Sequence, residues 1–263
     1  MSSLSVTIIQ TSLFWEDKTA NLRMFEQKIR EVEERMELVL LPEMFNTGFS
    51  MQPEQLGETM EGETVSWMKE VARENKIILA GSLIIEENGK YYNRLVWMQP
   101  DGVSGYYDKR HLFAHGGEDD SFSAGNKRMI CSVKGWKVNL QVCYDLRFPV
   151  WARQSPNEEG EAEYDLLVYV ANWPEKRNRA WKTLLCARAI ENQCYVVGVN
   201  RVGTDGVGIY HSGDSMVIDP MGEILYHKAH DEAVNIIILE KEKLAETRSK
   251  LPFLKDGDVF QIL

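Results

Sequence analysis

Lys137-Val138-Asn139-Leu140-Gln141-Val142-Cys143-Tyr144-Asp145-Leu146-Arg147-Phe148-Pro149 is the stretch on which the fold turns. Apolar and polar residues alternate up to Val142, the period-2 pattern of a half-buried strand. A cysteine then interrupts the pattern, and Trp151-Ala152-Arg153 carry the chain toward helix. A cysteine at a strand-to-helix turn is presented at the end of its strand. It also faces the free N–H groups and the positive dipole end of the next helix, which favour a thiolate. The rest of the chain is therefore expected to supply this sulfur with a base, an oxyanion partner and a pocket.

Outward from that stretch, strand and helix patterns alternate. Residues 5–10 read as a buried strand. Over 15–36, Leu22, Phe25, Ile29, Val32 and Met36 fall on one helical stripe. Leu38-Val39-Leu40-Leu41, ended by Pro42, suits a central strand and its exit, and 43–49 are loop-like. A second helix is expected over 64–75, with Val65, Met68, Val71 and Ala72 on its apolar side. Residues 77–85 read as a strand whose Gly81 marks a bulge or a close approach, and 91–98 return as its hairpin partner. Residues 110–130 are irregular, and loops of that length inside a compact domain are usually functional. Strands at 165–171, 194–200, 215–219 and 233–239 and helices at 179–192 and 240–250 complete the pattern. Hairpins among alternating elements predict an α/β fold with mixed sheets. No linker or compositional break divides the chain, so one domain, 1–263, is expected.

Bulk properties exclude several classes. The net charge of −10 gives no general attraction to nucleic acid or to an anionic membrane, so neither is expected as a partner. Residues 1–6 have neither a basic segment nor a long apolar one, so no secretory signal is expected. No run comes near the roughly 18 apolar residues of a membrane span. A cytoplasmic location follows as the expectation, with Cys131, Cys143, Cys186 and Cys194 as free thiols because none has CxxC spacing. Cys131, Cys186 and Cys194 read as packing residues. The histidines at 111, 115, 211, 227 and 230 lack HExxH spacing, so neither a metal nor another cofactor is expected. The glycine-rich segment 203–208 reads as a turn rather than a phosphate loop.

A cysteine nucleophile needs a base for its proton and positive charge or N–H donors where the substrate oxygen becomes an oxyanion. Three residues occupy comparable strand-end places. Glu43 follows the apolar run 38–41, Lys109 follows the strand-like 105–107, and Cys143 follows 138–142. Functional groups of layered α/β folds gather at such ends. Taken singly, each has a plainer reading: free cysteines are mostly buried packing, Glu43 would be a solvated loop residue, and Lys109 and the adjacent Arg110 would be two solvated surface cations.

Longer segments weigh against the plainer readings. Leu41-Pro42-Glu43-Met44-Phe45, Tyr107-Asp108-Lys109-Arg110-His111-Leu112-Phe113 and Val142-Cys143-Tyr144-Asp145-Leu146-Arg147-Phe148-Pro149 resemble, in order, the three signature segments of the nitrilase (carbon–nitrogen hydrolase) superfamily. The similarity extends over nearly the whole chain, through Ala171-Asn172-Trp173-Pro174, residues 187–192, 198–201 and 213–215. It implies a four-layer αββα sandwich of mixed sheets. It also implies Glu43 as general base, Lys109 as oxyanion cation, Cys143 as nucleophile, the N–H of Tyr144 as a second oxyanion donor and Glu118 as a further glutamate of the site. The post-cysteine and Ala-Asn-Trp-Pro segments look most like bacterial omega-amidases, which act on omega-amides of 2-oxo dicarboxylic acids such as 2-oxoglutaramate. Nitrilase or carbamoylase activity on the same scaffold stays open at this point, as does a catalytically silent member. The resemblance further implies a homodimer whose tails, 251–263, reach across. The substrate of such an enzyme carries a carboxylate that must meet a cation. Arg147 is the candidate, against a structural ion pair, and Phe45, Tyr144 and Trp173 are candidates to wall the pocket.

Overall fold

The computed structural model describes residues 3–155, 161–258, 260 and 262. Met1 and Ser2, read above for a signal, and Val259, Gln261 and Leu263 of the tail lie outside them. Two sheets face each other. The first contains β1 (Ser3–Gln10), β2 (Leu38–Leu40), β3 (Ile78–Glu87), β4 (Lys90–Met98) and β5 (Ser104–Asp108). The second contains β6 (Ile130–Val133), β7 (Trp136–Val142), β8 (Leu166–Ala171), β9 (Tyr195–Asn200), β10 (Val202–Thr204), β11 (Tyr210–Ile218) and β12 (Ile224–Ala229). β13 (Ala233–Glu240) returns to the first sheet, antiparallel to β1. Each sheet has a parallel trio at its centre, β1-β2-β3 and β7-β8-β9, flanked by antiparallel strands.

Alternation along the strands builds the layers. Leu38 and Leu40 of β2 pack toward the second sheet with Val138, Leu140, Val168 and Val170. Val39 between them, and Leu41 beyond, turn the other way onto Leu22, Phe25 and Ile29 of α1 (Lys18–Arg30), with α2 (Pro53–Leu56) nearby in sequence and Val65, Met68 and Val71 of α3 (Glu63–Asn75) completing that layer. Successive side chains of a strand must point to opposite faces, so a strand apolar on both faces needs cover on both. The loop after β5 carries the single-turn α4 (Glu118–Ser121), and α5 (Pro149–Ala152) follows the cysteine turn. α6 (Asn178–Asn192) covers the outer face of the second sheet through Trp181, Leu185 and Ala189, and α7 (Lys241–Lys250) buries Leu244. The order is helix, sheet, sheet, helix, as the resemblance implied. Among the described residues no helix is long and apolar enough to cross a membrane.

Several element boundaries differ from the sequence reading. The first helix spans 18–30 rather than 15–36. Asp17 caps it by accepting the Ala20 N–H at 2.9 Å, and the acidic run Glu31, Glu33, Glu34 would oppose the negative dipole end of a longer helix. β11 starts at Tyr210 rather than 215, and β12, lying between the expected strands 215–219 and 233–239, pairs with it. Residues 224–229 mix exposed Ile224 and Leu225 with polar neighbours, so no clean alternation reveals the strand.

Candidate active site

The ends of β2, β5, β7 and β8 converge. Glu43 lies just past β2 in a segment laid along β3: the Leu41 N–H donates to Ala80 O at 2.8 Å, the Met44 N–H to Ser82 Oγ at 2.9 Å and the Phe45 N–H to Ser82 O at 3.0 Å. Gly81 is the close approach. A Cβ there would sit 2.8 Å from the Phe45 ring and 2.9 Å from Leu41 Cβ. Lys109 lies just past β5, its backbone N–H donating to Asn93 O at 3.0 Å.

These side chains meet in a buried charge cluster. Lys109 Nζ donates to Glu43 Oε1 at 2.8 Å and to Glu118 Oε2 at 2.8 Å, and all three side chains are fully buried. Asn93 Nδ2 donates to Glu43 Oε1 at 2.8 Å and Glu118 Oε1 at 3.0 Å. The Phe113 N–H reaches Glu118 Oε2 at 2.6 Å, and the Asn172 N–H reaches Glu43 Oε2 at 2.8 Å. Burial works against the Lys109 charge, but the carboxylates of Glu118 and Glu43 outweigh it and hold the ammonium above its ordinary range. Burial, reinforced by Glu43, pushes the Glu118 carboxyl upward against the pull of Lys109.

Cys143 joins this cluster from β7. Its φ of +44° is left-handed, a conformation a non-glycine residue holds only where its surroundings impose it. The constraint is Asp145. Its Oδ2 accepts the Val142 N–H at 3.0 Å and the Tyr107 hydroxyl at 2.8 Å, and its Oδ1 accepts the His111 N–H at 3.0 Å, with His111 Nδ1 at 2.8 Å. Trp151 Nε1 donates to the same hydroxyl at 2.9 Å. One buried carboxylate thus ties the cysteine turn to the lysine loop.

The expected thiolate is corrected. The segment after Cys143 is a five-residue 3-10 turn, Cys143–Arg147, too short for a strong dipole. Burial first, then the charge of Glu43, push the thiol well above its ordinary value. The resting group is a thiol beside a carboxylate, and attack requires that carboxylate to take its proton.

A cleft of about 360 Å³ opens onto Lys109 and Cys143. Tyr144, Arg147 and Trp173 are among the residues that line it. Phe45 does not. Its ring is fully buried against Phe25 and Trp67, 5.6 and 5.9 Å between centroids, because the bonds to β3 turn residue 45 toward the helix layer. Phe49 takes the place expected of it, 5.2 Å from Lys109 Nζ. Arg147 makes no ion pair with another described residue; its guanidinium lies 4.9 Å from the Trp173 ring centroid. Sequence reasoning missed Asn93, Asn172, Phe113, Arg177 and the 205–209 turn at this cleft. Asn93 alone left a signal, as a polar residue inside an otherwise strand-like hairpin partner.

The chain resembles known proteins over its whole length. The family model described as "Carbon-nitrogen hydrolase" matches residues 5–248. Omega-amidase YafV of Escherichia coli is 41% identical over 263 residues, covering 100% of both chains. A 2-oxoglutaramate amidase of Bacillus subtilis is 29% identical over 255 residues, 96% of each chain. Among solved structures, a CN-hydrolase superfamily protein of Xanthomonas campestris with an arsenic adduct in its active site superposes with a TM-score of 0.97 at 41% identity, covering 100% of both chains. The family match over most of the chain and the full-length identity establish that the chain belongs to the carbon–nitrogen hydrolase family.

Proposed function

We propose that this chain is an omega-amidase that releases ammonia from the terminal amide of 2-oxo dicarboxylic acid monoamides through a cysteine thioester. The observation that carries the reading is the meeting of Cys143 and Lys109 on one cleft with Glu43 buried against both, in a chain 41% identical over its full length to an omega-amidase. Glu43 takes the thiol proton as Cys143 Sγ attacks the amide carbon. The Lys109 ammonium and the Tyr144 N–H receive the oxyanion, where fixed donors in a dry site act most strongly. Glu43 then gives the proton to the departing nitrogen, and ammonia leaves the thioester. Water enters, Glu43 removes its proton, and collapse of the second tetrahedral adduct frees the carboxylate and the thiol. Glu118 and Asn93 act through Lys109 and Glu43 by fixing where their charges sit. Asn172 holds the second oxygen of Glu43, leaving that carboxylate one orientation toward the sulfur.

The same reading takes residues 1–263 as one catalytic domain, in a cytoplasmic homodimer. Free thiols at all four cysteines fit a reducing compartment. Size-exclusion chromatography with light scattering tests the dimer, and a monomeric mass contradicts it. Ammonia release from 2-oxoglutaramate, 2-oxosuccinamate, glutamine, asparagine, a nitrile and a carbamoyl amine tests the activity. The two 2-oxo acid amides are expected to be the best substrates, and preference for the nitrile or carbamoyl amine would overturn the assignment.

A further inference from the structure

Two guanidiniums line the cleft, Arg147 and Arg177, and neither is ion-paired to a described carboxylate. Arg147 stands against the Trp173 ring, 4.9 Å from its centroid, and Arg177 against the Phe113 ring at 5.0 Å. Both line the cleft and both are half-buried. They are also linked to each other's support, because Trp173 Nε1 donates to the Arg177 carbonyl at 2.9 Å. A third arginine, Arg201, is fully buried near the cleft residue His211. Its Nε and Nη2 donate only to the carbonyls of Val202 and Thr204, at 3.1 and 3.3 Å, and its Nη1 has no partner. Burial pushes this arginine down to about 10, against the pull of the Asp205 carboxylate. Its charge also helps, after burial, to push the cleft residue His211 down to about 4, so that histidine is neutral at neutral pH.

The acids at the rim are already engaged. Glu16 Oε1 accepts from Ser50 Oγ at 2.6 Å and Gln52 Nε2 at 3.1 Å. Asp205 Oδ1 accepts the N–H groups of Val207 and Ile209 at 3.0 and 2.8 Å. Glu43 and Glu118 are held by Lys109. A protein seldom leaves partly buried cations without a counter-charge, because desolvation is then uncompensated. Here the counter-charge is left for the ligand to bring. The guanidinium fork matches two coplanar oxygens, which a carboxylate and an adjoining keto group both offer.

We propose that Arg177, together with Arg147, forms the carboxylate subsite of the cleft and sets its preference for amides with an anionic 2-oxo acid end over uncharged amides. This rests on the omega-amidase reading for its substrate. The aromatic rings hold the two guanidiniums in place, the buried Arg201 charge, felt at the cleft residue His211, adds positive potential, and the amide end is left to reach Cys143. Arg177 is thus a specificity-determining residue contributed by the loop between β8 and α6, far in sequence from the nucleophile.

The test compares wild type, Arg177→Met, Arg177→Lys and Arg147→Met by two readouts. In the first, kcat/KM is measured for 2-oxoglutaramate and for pentanamide, which lacks both the carboxylate and the keto group. The ratio of the two is expected to fall roughly ten- to a hundredfold in Arg177→Met and Arg147→Met, the span of a lost charge-assisted hydrogen bond, mainly through KM for the anionic substrate. Arg177→Lys is expected to recover part of it. An unchanged ratio overturns the proposal. The second readout is calorimetric binding of 2-oxoglutarate, which needs no turnover and so separates failure of the subsite from failure of the omega-amidase reading. Wild type is expected to bind and Arg177→Met to bind at least about tenfold more weakly. No binding to wild type, or equal binding to both, overturns the subsite whatever the activity assay gives.

Discussion

Replacing Lys109 by methionine tests the buried charge cluster most severely. The methionine keeps the length of the stem and removes the ammonium that Glu43 and Glu118 share, each at 2.8 Å. Two fully buried carboxylates then face each other with Asn93 as the common donor. Removing one partner of a buried ion pair typically costs about 3–5 kcal/mol, because the charge left behind stays desolvated. Two carboxylates remain here, so the upper end is expected in urea unfolding at neutral pH. The sign with pH follows from the carboxyl groups. Without the cation, the Glu118 carboxyl, which burial already pushes upward, loses the one charge that pulls it down, so the folded variant binds its proton more tightly than the unfolded chain. The deficit therefore shrinks as pH falls toward the unfolded carboxylate range and grows as pH rises. In Lys109→Met/Glu118→Gln only Glu43 keeps a charge, and about half the loss should return, as coupling between contacting groups requires. A Lys109→Met deficit below about 1 kcal/mol, or one that does not vary with pH, would refute the cluster as described, since such a value belongs to exposed pairs.

Other perturbations give equally definite outcomes. Alkylation of Cys143 by iodoacetamide should still accelerate with pH beyond the ordinary thiol range, since burial and then Glu43 raise its pKa. Glu43→Gln should move that inflection downward, and an inflection below neutrality in wild type would contradict the burial argument. Asp145→Asn keeps shape but replaces one of the acceptor oxygens that serve Val142, Tyr107 and His111 with a donor. A cost of about 1–3 kcal/mol is expected for the unsatisfied groups, with kcat falling more than KM because the left-handed turn at Cys143 loosens. Gly81→Ala forces a methyl within 2.8 Å of the Phe45 ring, and thermal unfolding should show the roughly 1–3 kcal/mol of an overpacked core.

Much of this site could be read in the sequence because its charged members follow apolar runs. Lys109 and Cys143 come directly after a strand and Glu43 three residues past one, where the apolar pattern stops and a reactive residue stands out. Glu118 carried no such signal of its own; it lies in an irregular loop, and the resemblance placed it. Phe45 shows the limit of this approach. A residue two positions past Glu43 could face the cleft or the helices, and the choice depends on bonds to Ser82 and on the gap at Gly81, both 36 or more residues away in sequence. Arg177 and the 205–209 turn were illegible for the same reason: they reach the cleft only once β8, β9 and β11 are paired. The thiolate expectation failed because a dipole argument needs a helix of some length, and the sequence marks the turn after Cys143 without marking its brevity.

Ammonia release from 2-oxoglutaramate by wild type, Cys143→Ala and Glu43→Gln tests the central claim most directly. The account predicts steady turnover by wild type and a loss of roughly 10⁴-fold or more in each variant, as when a nucleophile or its base is removed, with circular dichroism spectra unchanged. Turnover by Cys143→Ala at the wild-type rate would contradict it.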